Sequence, residues 1–268
     1  MAIMERRVTL KSAAQVERMA VAGRLVSDVL DRVGEALRPG VTTLELDALA
    51  EGLVRSAGAT PSFIGVPGQR EPYRHTLCVS IDDEVVHGVP SRRRILEGQI
   101  VSVDAGAIVG GWHGDAARTW IVGEVPAPVR GLVEATRRAM YAGIAAARPG
   151  NHLSDISAAI EDVAIEGGYG IVRQFVGHGI GTDMHEEPQV TNFRSGQRGR
   201  RLEPGLCLAI EPMFTLGRHE VELQPDGWTV VTRDGRLAAH WEHSIAITAD
   251  GPRILTQAAV PPAGEAAT

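Results

Sequence analysis

At 268 residues, 44% hydrophobic and 22% charged, the chain has the composition of a globular protein with room for one large core or two modest ones, which excludes a disordered or fibrous chain. Its formal net charge of −6 gives no ground for a nucleic-acid or anionic-membrane partner. The two cysteines, Cys78 and Cys207, each sit in an apolar run and read as buried thiols of a reducing compartment, not as a disulfide framework.

Residues 1–9 carry no periodicity and no apolar signal run, so a flexible N-terminus and a cytoplasmic location are expected. No apolar stretch approaches the ~20 residues of a membrane helix. Val16, Met19, Ala20, Gly23, Val26, Leu30, Val33 and Leu37 then recur at three- and four-residue steps, predicting an amphipathic helix closed by Arg38-Pro39-Gly40. A second helix is expected over 43–56, capped by Thr42 or Thr43 and stopped by Gly58. Strand-like runs follow at Leu77–Ile81, Ile100–Val103 and Thr119–Val122. The same order then returns. Helices are expected near Val129–Ala147 and, capped by Ser154, over Ile156–Ile165, with strands at Ile171–Val176, Leu206–Ile210, Thr229–Val231 and Ser244–Ile247. Residues 258–268 are small and proline-bearing and read as a flexible tail, which leaves 10–257 as a single domain.

The recurrence has a measurable register. Arg38-Pro39-Gly40 and Arg148-Pro149-Gly150 lie 110 apart, and in Leu96-Glu97-Gly98 and Leu202-Glu203-Pro204-Gly205 an acid follows the glycine by six, Asp104 and Glu211, at an offset of 107. His113-Gly114-Asp115 answers His240-Trp241-Glu242 at 127. Each half therefore supplies two carboxylates at equivalent places, which predicts a duplicated α/β body with its acids converging between the halves.

Asp104, Asp115, Glu211 and Glu242 all adjoin apolar, strand-like segments. For any one of them a salt bridge or a helix cap is an adequate reading. Four together outnumber the cations of their own segments, where only Arg118 stands close, and two divalent ions would neutralise them. His178, bracketed by glycines in Gly177-His178-Gly179, offers a nitrogen ligand. One imidazole among four carboxylates is a hard, oxygen-rich set that suits manganese, iron or cobalt, with zinc admissible and magnesium disfavoured. His87 (Val85-Val86-His87-Gly88-Val89-Pro90) and His185 (Met184-His185-Glu186-Glu187-Pro188) flank these motifs; singly, each could equally be a satisfied core histidine.

The strings VVHGVP, VDAG, HGDAART, GHGIG, MHEEPQV, LAIEPM and HWEHS, in this order, resemble methionine aminopeptidase type I over residues 16–256. The resemblance implies a pita-bread α/β (α+β) fold: two pseudo-symmetric halves with antiparallel sheet and outer helices, and a site for two divalent metal ions between them. It places the metal ligands on Asp104, Asp115, His178, Glu211 and Glu242, with Asp115 and Glu242 shared by both ions. His87 falls at the scissile amide, His185 near the scissile carbonyl, and Glu211 serves proton transfer as well. Tyr73, Cys78, Met184 and Trp228 would surround the substrate's methionine side chain, although composition alone allows each to be plain core. The implied substrates are the N-termini of nascent proteins and peptides, and the protein is expected to be a monomer without a membrane or specific nucleic-acid partner. The arginine-rich stretch 194–201 is a candidate ribosome contact, or simply a solvated loop. A proline-specific aminopeptidase and a non-catalytic pita-bread binding protein are the alternatives to weigh.

Overall fold

The computed structural model describes residues 8–257, so the expectations for residues 1–7 and 258–268 lie outside the described residues. In chain order the elements are α1 (Ala13–Ala36), α2 (Thr43–Ser56), β1 (Thr60–Pro61), β2 (Leu77–Ile81), β3 (Glu84–Val86), β4 (Ile100–Val109), β5 (Trp112–Ile121), α3 (Ala127–Ala146) and α4 (Leu153–Gly167). There follow β6 (Gly170–Ile171), β7 (Gly177–Gly179), β8 (Glu186–Val190), β9 (Cys207–Ile210), β10 (Met213–Thr215), β11 (Val221–Leu223), β12 (Val230–Thr232), β13 (Ala238–His240), β14 (His243–Thr248) and β15 (Gly251–Ile254).

The two halves are built alike down to single hydrogen bonds. Thr42 caps α2 with its side chain while Glu45 reaches back to the Thr42 N–H, and at the answering position Asp155 accepts from the His152 N–H at the start of α4. The cap of α4 is thus His152; Ser154 lies within the helix. Gly40 N donates to Ile95 O and Ile95 N to Val41 O, while Gly150 N donates to Leu202 O and Leu202 N to Asn151 O. Those pairs stand at the same offsets of 110 and 107 that the sequence displays. Helices α1 and α2 bury Val26, Leu30, Val33, Leu46 and Val54 against β2 and β4, and α3 and α4 bury Leu132, Met140, Ile156 and Ile160 against β9 and β14. Burial of such large apolar side chains contributes ~1.5–3 kcal/mol each and is what fixes the helices to the sheets.

The strands carry the acids. β4 and β5 form an antiparallel hairpin whose two-residue turn, Gly110-Gly111, has positive φ at both positions, as a tightly twisted hairpin requires. β14 pairs antiparallel with β9 in the second half. The halves join where Glu242 N donates to Ala117 O at 2.9 Å and the Ser244 hydroxyl donates to Asp115 O at 2.7 Å. Both β4 and β5 run longer than the apolar runs Ile100–Val103 and Thr119–Val122 suggest, because Asp104, His113 and Asp115 are polar residues held inside regular strand. Conversely only Ile171 of the expected strand Ile171–Val176 is strand, at the end of β6; the chain then leaves the sheet and turns Phe175 against His87.

Candidate active site

All eleven residues named from the sequence line one cavity of about 190 Å³ at the seam between the halves. Its floor is Asp104 from β4, Asp115 from β5, Glu211 just past β9, Glu242 just before β14, and His178 from β7. Asp115 and Glu242 are buried, while Asp104 and Glu211 keep partial exposure. Ligand atoms of Asp115, His178 and Glu242 lie within 4.8 Å of one another. Glu211 Oε1 is 3.5 Å from His178 Nε2, and Asp115 Oδ2 is 3.8 Å from the same nitrogen.

These groups do not satisfy one another. Asp104 Oδ1, Asp115 Oδ1 and Glu242 Oε1 are buried and have no hydrogen-bond partner. Burial, and for three of the four the neighbouring carboxylates, raise the acids above the ordinary carboxylate range; Asp115 is squeezed by Glu242 and Asp104, and Glu242 by Glu211 and Asp104. His178 adds no compensating charge. Its Nδ1 lies 2.9 Å from Gly179 O, and a carbonyl can only accept, so Nδ1 carries the proton and Nε2 turns a lone pair toward the acids. Burial, and then His185, push its pKa down to about 4, so the ring is neutral near pH 7. Ionised, the four acids would offer one another and the neutral imidazole lone pairs only. Divalent cations fit this set, because they supply the charge that the protein withholds.

Above the floor the wall is apolar. Phe63, Tyr73 and Cys78 form a small separate cluster with Val66, Met184 and Trp228 packed on it. The Tyr73 ring meets Trp228 edge-on at 4.9 Å, and its hydroxyl donates to Leu77 O at 2.8 Å, so the phenol is locked from both ends. Asp47 on α2 holds this corner, accepting the N–H groups of Thr76 and Leu77 and pairing with His75. Gly68 is required where the loop Gly65–Pro72 closes on the indole, since a Cβ there would stand 2.4 Å from Trp228.

Two imidazoles stand at the mouth. His87 follows β3 with φ +59, a left-handed conformation, and Gly88 behind it is pressed so close to Val79 O that a Cβ would lie 2.3 Å away. The turn thereby aims the ring between Phe175 and Trp228. Burial, and then His185, lower the pKa of His87 to about 4. His185 sits in the turn joining β7 to β8, its ring edge-on to His178 at 4.5 Å. A further space of about 320 Å³ opens from these groups past Gln174, Phe175 and Gln189.

The structure adds residues that the sequence reading passed over. Phe63 and Val66 complete the apolar wall. His240 is buried with Nε2 3.8 Å from Glu211 Oε2, and its place in the repeat, answering His113, was the available signal. Asn192 is fully buried and donates to Glu211 O at 3.1 Å, fixing the backbone of that acid. Nothing in its surroundings in sequence marks it.

Comparison with known proteins agrees with this geometry. Residues 17–249 match the model of metallopeptidase family M24. The chain is 45% identical over 250 residues to a methionine aminopeptidase of Clostridium acetobutylicum, covering 93% of this chain and 98% of that protein. It is 46% identical over 256 residues to methionine aminopeptidase 1 of Mycobacterium tuberculosis, covering 93% and 95%. The crystal structure of methionine aminopeptidase from Rickettsia prowazekii superposes with a TM-score of 0.90 at 34% identity, over 94% of this chain and 100% of that one, and so shares its pita-bread fold. The chain belongs to metallopeptidase family M24, among its methionine aminopeptidases.

Proposed function

We propose that the protein is a metal-dependent aminopeptidase that removes the initiator methionine from proteins whose second residue is small. One observation carries the reading: an apolar cavity, edged by thioether, thiol and aromatic groups, ends on four acids and a neutral imidazole, and three buried oxygens of those acids have no hydrogen-bond partner. Asp104, Asp115, His178, Glu211 and Glu242 would hold two divalent ions, and Asp115 and Glu242, which come from opposite halves, would serve both. When bound, the ions cancel the carboxylate charge, anchor the free α-amine of the substrate and make a water acidic enough to attack near neutral pH. The oxygen-rich donor set supports manganese, iron or cobalt, with zinc also admissible.

The protein's own groups do the rest. Tyr73, Cys78, Met184 and Trp228 enclose the methionine side chain, whose burial contributes ~1.5–3 kcal/mol, with sulfur–aromatic contacts adding roughly 0.3–1.5 kcal/mol each. His87, neutral at pH 7, donates one N–H and orients the scissile amide. His185 steadies the carbonyl oxygen as charge develops on it. Glu211 takes the proton from water and returns it to the departing amine. The second residue must be small because it passes between His87 and the glycine-bracketed His178.

No described helix is long and apolar enough to cross a membrane. A cytoplasmic monomer acting on nascent chains completes the proposed reading. Contact with the ribosome would rest on Arg198 and Arg201, since Arg194 is bound to Glu161 and Asp162 and Arg200 to Glu203. Neither the proline-specific nor the non-catalytic alternative is favoured, because every metal-ligand position carries a ligating side chain and the near-full-length relatives are methionine aminopeptidases. The test is kcat/KM of chelated, metal-reconstituted protein on matched peptides. Met-Gly, Met-Ala and Met-Ser are expected to be cleaved, Met-Lys and Met-Leu poorly and Gly-Pro hardly at all. Preference for Gly-Pro over Met-Gly would overturn the assignment.

A further inference from the structure

Lys11 is the only lysine in a chain whose lysines and arginines total 27. It is also buried, at 7% exposure, whereas a cation of this kind ordinarily lies in solvent. Its ammonium reaches Glu186 Oε2 at 2.6 Å, Thr9 Oγ1 at 2.7 Å and Thr9 O at 3.3 Å, so all three donors are used. The Thr9 hydroxyl donates in turn to the same Glu186 oxygen at 2.6 Å.

The other oxygen of Glu186 does different work. Oε1 accepts from the N–H of Thr182 at 3.0 Å and of Asp183 at 3.4 Å, at the head of the turn that ends in Met184 and His185. Lys11 is itself fixed, its N–H donating to Gly205 O at 2.7 Å and the next residue, Ser12, capping α1. The carboxylate is thus a spacer between the root of α1 and the turn that carries two residues of the cavity. The space is closed: a Cβ on Gly181 would lie 2.3 Å from Glu186 Oε1 and 2.6 Å from Lys11 Cε. A planar guanidinium with five donors does not fit where a compact ammonium with three does, which accounts for a lone lysine among arginines.

We infer that Lys11 is a positioning residue for the peptidase reaction: through Glu186 it sets the turn 182–185, and with it the His185 imidazole and the Met184 thioether, against the bond to be cut. The inference rests on the function proposed above for His185 and Met184. It predicts that metal-loaded Lys11→Met loses about 10- to 100-fold in kcat/KM on Met-Ala-Ser, the scale of a sub-ångström to ångström displacement of a reacting group. Most of the loss should fall in kcat, because His185 acts on charge that develops in the transition state. Bound metal per chain should stay at the parent value, and Lys11→Arg should not restore the rate. Glu186→Gln, which keeps an oxygen for the turn and removes the unpaired charge, guards against a variant that merely misfolds. If Lys11 acts through Glu186, the Lys11→Met/Glu186→Gln pair is no worse than the poorer single variant. Losses that multiply would overturn the inference, as would a lower Tm with unchanged kcat and KM. Hydrogen exchange separates this from the functional reading. The Thr182 and Asp183 amides should exchange at least about tenfold faster in Lys11→Met while those of α3 do not. Unchanged protection there refutes the positioning role, whatever substrate the parent turns out to cleave.

Discussion

Asp115→Asn is the most informative single change, because it should move stability in opposite directions with and without metal. Asp115 is 3% exposed and lies against both Glu242 and Asp104; burial, and then those two acids, raise its carboxyl well above the ordinary range. Asparagine keeps its shape and removes one repelled carboxyl, so the chelated variant should melt at or above the chelated parent. With metal the order reverses. In the proposed function up to four negative charges would balance two divalent ions in the parent; the variant would have three and lack one of the two acids, Asp115 and Glu242, assigned to both ions. A metal at 100 to 1,000 times its Kd stabilises the folded state by about 2.7–4.1 kcal/mol. For chains near this size each kcal/mol shifts Tm by roughly 2–4 °C, so the parent should gain about 5–16 °C. The variant should gain less than half of that and retain no peptidase activity. Scanning calorimetry on chelated and reloaded samples, with metal counted per chain, reads both arms. A chelated variant that melts several degrees below the chelated parent would refute the crowding argument. A variant with the full parental gain would refute the shared role of Asp115.

Other outcomes follow from the same coordinates. His87→Ala and His185→Ala should each keep their metal while kcat/KM on Met-Ala-Ser drops about 10²–10⁴-fold; metal content falling in step with the rate would make them ligands instead. Gly114→Ala places a Cβ 2.6 Å from Gly23 N and 2.7 Å from Ala22 C, both main-chain atoms of α1, so β5 must shift away from the helix. A cost of about 1–3 kcal/mol is expected, and an unchanged Tm would show that the backbones yield freely. Burial pushes the Cys207 thiol up to about 12 and lifts Cys78 well above its ordinary value. Both should resist iodoacetamide at pH 8 in the native protein and react once urea unfolds it; rapid native labelling would contradict this.

Much of the site could be read in the sequence because carboxylates and apolar strands are an unusual combination, and the duplication repeats that combination at fixed offsets. Helix α2 falls where the cap at Thr42 and the stop at Gly58 put it, and β2 where the run Leu77–Ile81 puts it. What stayed hidden shares a physical cause: it depends on contacts between residues distant in the chain. Nothing near Lys11 indicates a carboxylate 175 positions away, and nothing near Asn192 indicates the carbonyl of Glu211. The apolar runs understate β4 and β5 because polar residues interrupt their pattern, and that polarity is tolerated where the β4–β5 hairpin faces the β9–β14 pair across the seam. Propensity favours Ser154 as the cap of α4, whereas the helix starts after His152, whose N–H the Asp155 carboxylate accepts.

β2 lies beside β4 as β7 lies beside β9. Yet β2 turns Cys78 to the cavity and β7 turns His178 to it. Two identical halves would present a site unable to tell one end of a peptide from the other, since a two-fold axis has no preferred direction. Joining them in one chain lets the equivalent strands diverge, so that a thiol and an aromatic wall line the cavity beside imidazoles, which under the proposed function receive the first side chain and meet the backbone that follows. A peptide has polarity, and a site that works only from the amino end needs a matching polarity. In this molecule that polarity arises where the pseudo-symmetry fails.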